Sequence, residues 1–230
     1  MNGVNYLLIV VLTTIAFGMI KGYRKGFLRL AVYLAGLIMV ILLVTKISPY
    51  VSDFLINNTD VYTDVKDKII DMYLNQTGNE SAFSQNNEVE TIQGFGLPEI
   101  ISTALITNNT EDMYTKLAVA LFEEYIAGYL AKLVIKAGSF VGLFIILVIG
   151  MFCLFTAIKI IEKIPVLRTF NRCLGMIAGA GMVIVFVWVF FIAIMIFFGD
   201  SLGSWMLTQV KSSIFLSFLF NNNYLFQMLL

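Results

Sequence analysis

From Cys173 to Gly199 the chain reads CLGMIAGAGMVIVFVWVFFIAIMIFFG, 27 residues without one charged side chain. A helix needs about 20 apolar residues to cross a hydrocarbon core, so this stretch is long enough to span with some tilt. Three further uncharged runs lie outside it: Val4 to Ile20, the stretch between Arg29 and Lys46, and the stretch between Lys136 and Lys159. The second is short, so its flanking charges must snorkel or the bilayer must thin. The reading is an all-α integral membrane protein with four transmembrane helices arranged as two hairpins. The first run lacks the small-residue cleavage pattern of a signal peptide, so a retained helix is expected there.

Composition agrees. Of 230 residues, 59% are hydrophobic and 13% charged, and the mean hydropathy is +0.88. Fifteen basic residues balance fifteen acidic ones, which gives no ground for a nucleic-acid partner. The chain has no histidine, and its two cysteines, Cys153 and Cys173, lie in or beside apolar stretches. That speaks against His/Cys metal sites, Ser-His-Asp or Cys-His catalysis and a disulfide-stapled fold, so no cofactor, metal or enzymatic site is expected.

Charge placement sets an orientation. Lys21, Arg24, Lys25 and Arg29 crowd the first short turn, and Lys159, Lys163, Arg168 and Arg172 crowd the third with a single Glu162. The segment from Lys46 to Lys136 carries thirteen acids against six lysines, a net of minus seven. By the positive-inside rule both turns are cytoplasmic, and the N-terminus, the long segment and the C-terminal tail lie outside. A basic cluster of this kind anchors topology and can also recruit anionic lipid headgroups.

The chain divides into a first hairpin over 1–45, an external acidic insertion over 46–136, a second hairpin over 137–199 and an interfacial tail over 200–230. Val61, Val65, Ile69, Met72 and Tyr73 recur at helical spacing among acids and lysines, which predicts an amphipathic helix. Asn75 to Asn87 reads as a flexible tip, and Gly94 to Pro98 as loop punctuation. Asn-x-Ser/Thr triplets at Asn57, Asn75, Asn79 and Asn108 read as chance products of a polar segment rather than glycan acceptors. Met113, Leu117, Leu121, Ile126, Tyr129 or Leu130, and Leu133 form one stripe, which predicts a surface helix turning into the third span near Gly138. In the tail, Trp205, Met206, Val210, Ile214, Phe215 and Phe218 alternate with polar residues, as an interfacial or partner-docking helix would.

No Asp, Glu, Lys, Arg or His and no proline falls within the four runs, which weighs against ion-coupled transport and intramembrane acid–base chemistry. Hydroxyls such as Thr13, Thr14, Ser139 and Thr156 read as bonded back to their own helices. The positive signal is small residues four apart: Gly18, Gly22 and Gly26; Gly138 and Gly142; Gly175 and Gly179. In lipid, flat strips of this kind hold helices together, within one chain or between copies. Gly22 and Gly26 also suit a tight turn. Val183 and Val187 read as a contrasting face without small residues.

The stretch Gly22-Tyr23-Arg24-Lys25-Gly26-Phe27-Leu28-Arg29, taken with Pro165-Val166-Leu167-Arg168-Thr169-Phe170-Asn171-Arg172-Cys173-Leu174-Gly175 and its glycine-rich continuation to Gly181, resembles the bacterial colicin V production protein family (CvpA-like). The resemblance covers 1–45 and 112–198. It departs at Asn5 and Leu30, where many relatives place Asp and Glu. It implies a plasma (inner) membrane protein of a bacterium, needed for production or export of a peptide toxin and tied to envelope maintenance. The expected function is a non-enzymatic membrane scaffold or accessory factor; the alternative is a small oligomeric channel or transporter. Expected partners are the lipid bilayer, other membrane or envelope proteins and a second copy of the chain.

Overall fold

The computed structural model describes residues 4–77, 88–89, 92, 97–119, 121–158, 168–197 and 201–229, and of residues 28, 29, 73–77, 156–158, 168 and 169 the backbone alone. Among them the protein is all-helical, and four helices are long and apolar enough to cross a membrane. The predicted tip between Asn75 and Asn87 falls largely outside these residues, as do the loop at Gly94 to Gly96 and the loop carrying Lys159 and Lys163.

Helix α1 (Tyr6–Lys25) starts where the Asn5 side chain accepts the Leu8 N–H at 2.8 Å, occupying a donor that the first turn leaves open. It ends at Gly26, whose φ of +79° is open to glycine and strained for other residues. One residue therefore separates it from α2 (Phe27–Asn58). That helix runs through Lys46, past the expected end of the first hairpin, and contains Pro49. A charge ends a span, not a helix: at about 1.5 Å per residue, α2 outruns a hydrocarbon core of about 30 Å.

The acidic segment supplies α3 (Val61–Thr77), α4 (Glu99–Thr107) and α5 (Glu111–Leu117). These three pack on the first part of α6 (Phe122–Ile158). The expected turn near Gly138 is absent. The stripe beginning at Met113 breaks instead at Ala118, a left-handed cap with φ +53°, and α6 then continues unbroken through Gly138. The helix there is buried on several sides, with Leu130, Ala131, Leu133, Ile135 and Ala137 buried and Lys132, Val134 and Lys136 half-buried, so a helical glycine costing about 1 kcal/mol does not end the helix. The Tyr125 hydroxyl donates to the Leu105 carbonyl at 2.7 Å, and its ring stacks on Tyr114 at 5.0 Å. Burial raises the Tyr114 phenol pKa, and the Glu88 carboxylate adds to the rise; burial and Glu124 do the same to Tyr62.

Helix α7 (Arg168–Ile196) follows, then α8 (Ser201–Lys211), α9 (Ile214–Asn221) and α10 (Tyr224–Gln227). The tail is three helices rather than one, because Ser213 and Asn223 cap new starts by accepting the Leu216 and Phe226 N–H groups. It folds back on the bundle. Leu216, Phe220 and Phe226 enter the core, and the Lys136 ammonium donates to the Leu229 carbonyl at 3.1 Å.

The four long helices associate chiefly across the expected hairpins: α1 lies on α7 and α2 on α6, while α1 and α2 touch little beyond their turn. Mid-helix residues facing outward are mostly apolar, among them Ile146, 65% exposed, and Ile177, 67% exposed. In water such a surface would be costly; against lipid tails it is not.

Candidate functional site

The sequence strips at Gly18, Gly22 and Gly26 and at Gly175 and Gly179 belong to one crossing. Residues 18, 22 and 26 of α1 and its turn meet 179, 175 and 171 of α7, so the two helices run antiparallel. A Cβ added to Gly22 would overlap the Gly175 carbonyl oxygen, and one added to Gly175 would overlap that of Gly22. Gly18 and Gly179 repeat the relation one turn away, with 2.9 Å between an added Gly18 Cβ and the Gly179 oxygen. The hydrogen standing in for each missing Cβ is therefore aimed at a partner carbonyl. Such Cα–H···O contacts contribute about 0.5–1 kcal/mol each.

Gly26 closes the series. A Cβ there would overlap the Asn171 amide, so this glycine answers both a positive φ and a neighbour. Arg172 consequently shares one end of the bundle with the first basic turn, its guanidinium 5.6 Å from the Tyr23 ring. Lys21, Arg24 and Lys25 are exposed there; of Arg29 and Arg168 only the backbone is described. Gly138 and Gly142 stand apart: an added Cβ at either meets nothing within 4 Å. The contrasting valine face fails as a control surface, because Val183 packs on Gly18 and Val187 is buried.

Beside the crossing, between the α1–α7 and α2–α6 pairs, lies a cavity of about 470 Å³. Glycines 18, 22 and 179 leave one wall flat; Leu30, Tyr33 and Leu37 of α2, and Met151 and Phe152 of α6, form the other. Its charged groups collect at the basic end, where the Lys21 ammonium sits 4.6 Å from the Phe17 ring centroid and the Lys25 ammonium 5.6 Å from that of Tyr33. Neither lysine pairs with a carboxylate among the described residues. Sequence reading located both lysines but missed the cavity and the aromatic partners. The Phe17–Lys21 spacing of four was the one available signal.

A smaller cavity of about 150 Å³ lies toward the opposite end, lined by Ser48, Ser52, Asp53, Lys136 and Leu229. Ser52 donates to the Pro49 carbonyl, and Pro49 leaves the Thr45 carbonyl without its helical donor, so the helix is locally polar there. Among the described residues no group of three or more His, Cys, Asp or Glu side chains is placed to hold a metal ion.

No protein-family model, characterised protein or solved structure matches this chain.

Proposed function

We propose that this is a multi-pass bacterial plasma-membrane protein acting as a non-enzymatic scaffold or accessory factor in colicin V-like toxin production, secretion or envelope assembly. One observation carries the reading: parts of the two stretches on which the family resemblance rests, Gly22 to Gly26 in the first and Asn171 to Gly175 in the second, lie about 150 residues apart in sequence yet interlock at one crossing. Both basic turns then occupy the cytoplasmic end, with the acidic lobe, the N-terminus and the tail outside. A fixed crossing presenting two charged turns together is a platform, and the lobe and tail are the surfaces left to meet envelope partners.

Deletion in a toxin-exporting host tests it. Reduced toxin export or increased detergent sensitivity is expected, restored by the wild-type gene but not by Gly22→Leu. Unchanged export and envelope integrity would overturn the proposal. Ion flux above that of empty vesicles, from the purified protein in liposomes, would replace it with a channel reading.

A further inference from the structure

From the cavity beside the glycine crossing we infer that the protein holds an anionic phospholipid of the surrounding bilayer, its acyl chain in the groove and its phosphate between Lys21 and Lys25. The groove has the polarity of such a molecule. Its floor is apolar, with Leu37 only 1% exposed, and its cationic groups are confined to one end. Lys21 and Lys25 stand one helical turn apart on one face, where side chains are about 5–6 Å apart at Cβ, a spacing that lets both ammonium groups reach one phosphate. Contacts with the Phe17 and Tyr33 rings hold both at the rim.

Depth also fits. Lining residues on α1 extend from Lys25 back to Thr14, eleven residues or roughly 16 Å of helix, against about 15 Å for half of a 30 Å hydrocarbon core. The groove therefore runs from the headgroup level to about the bilayer midplane, the reach of one leaflet's acyl chain. Its volume lies within the roughly 300–1,000 Å³ usual for ligand sites. The site requires that the four apolar helices cross a membrane, but not the role in toxin export.

The test uses the full chain in nanodiscs of equal parts phosphatidylglycerol and phosphatidylcholine, with the lipids retained on release counted by native mass spectrometry. The wild type is expected to keep phosphatidylglycerol over phosphatidylcholine by roughly thirtyfold, the scale of two lysine contacts at a membrane surface. Lys21→Gln with Lys25→Gln should abolish that preference. Arg24→Gln with Arg172→Gln removes the same charge from the same end outside the groove and should preserve it. Thr14→Trp, filling the inner end, should lower retention with both lysines intact, and excess inorganic phosphate should not displace the lipid.

Equal retention of the two lipids by the wild type, equal loss in both double variants, full retention in Thr14→Trp, or displacement by inorganic phosphate would each overturn the inference. Thr14, Lys21, Arg24 and Lys25 are exposed and Arg172 is half-buried, and a monodisperse, helical preparation is required before the lipids are counted. Failure of the wild type to enter nanodiscs would overturn the membrane reading, on which both proposals depend; insertion without preference would overturn this one alone.

Discussion

Gly22 and Gly175 face each other so closely that neither can carry a side chain: an added Cβ on either overlaps the other's carbonyl oxygen. The obstacle is backbone, which cannot rotate aside as a flexible side chain can. Gly175→Ala or Gly179→Ala should therefore lower the melting temperature in detergent, by an amount corresponding to about 1–3 kcal/mol of overpacking. Gly181 is on the same helix but open, with nothing within 4 Å of an added Cβ. Gly181→Ala should be neutral or stabilising by up to about 1 kcal/mol, from helix propensity alone. Equal melting temperatures for Gly175→Ala and Gly181→Ala would show that the crossing does not hold the bundle.

Gly26 separates two costs that usually come together. Its φ of +79° penalises any Cβ, and the Asn171 amide occupies the space a Cβ would need. Gly26→Ala should cost about 1–3 kcal/mol. Adding Asn171→Ala removes the neighbour but not the backbone strain, so a double-mutant cycle should recover only part of the loss. Full recovery would mean that the turn itself is unstrained.

Hydropathy made the four long helices legible, because uncharged runs of that length have few other uses. Their ends were not legible. Lys46 and Lys136 stop an apolar run, yet both helices extend past them: α6 does so among buried residues such as Tyr125, Ile126 and Leu130, while α2 buries only Ser48 and Ser52 there and leaves Tyr50 and Phe54 exposed. Pairing was hidden as well. Spacing marks Gly18 and Gly142 alike as small-residue positions, but only the first meets another backbone, and no local pattern names a partner. The tail's stripe fits a membrane surface or a protein core equally; the two caps that fold it inward, Ser213 and Asn223, look from sequence like any polar residue.

Orientation has a direct check. In a variant lacking Cys153 and Cys173, both free and exposed, a cysteine at Asn75 should react with a membrane-impermeant maleimide in intact cells, and one at Arg24 should not. Labelling at Arg24 alone would invert the assignment and place the acidic lobe in the cytoplasm.

Asn223 joins the tail to the bundle through both ends of its amide. The oxygen accepts the Phe226 N–H at 3.1 Å, starting α10, while the nitrogen donates to the Trp188 carbonyl at 2.9 Å on α7. The side chain is 1% exposed, so water cannot replace either bond. Trp188 in turn donates its indole N–H to the Leu219 carbonyl at 3.1 Å and meets the Tyr224 ring edge-on at 5.7 Å. Asn223→Leu keeps the volume approximately but removes both side-chain bonds, leaving the Phe226 N–H only the backbone carbonyl of residue 223 at 3.1 Å, at about 1 kcal/mol for each bond lost. The tail should then loosen without unfolding the four long helices. Trp205, the other tryptophan, is exposed, so a change in tryptophan emission on mutation would come chiefly from Trp188. The expected result is a red shift in emission and faster proteolytic cleavage after Lys211, with the helical signal of the bundle nearly unchanged. Unaltered emission and cleavage would show that the buried apolar side chains Leu216, Phe220 and Phe226 hold the tail by themselves.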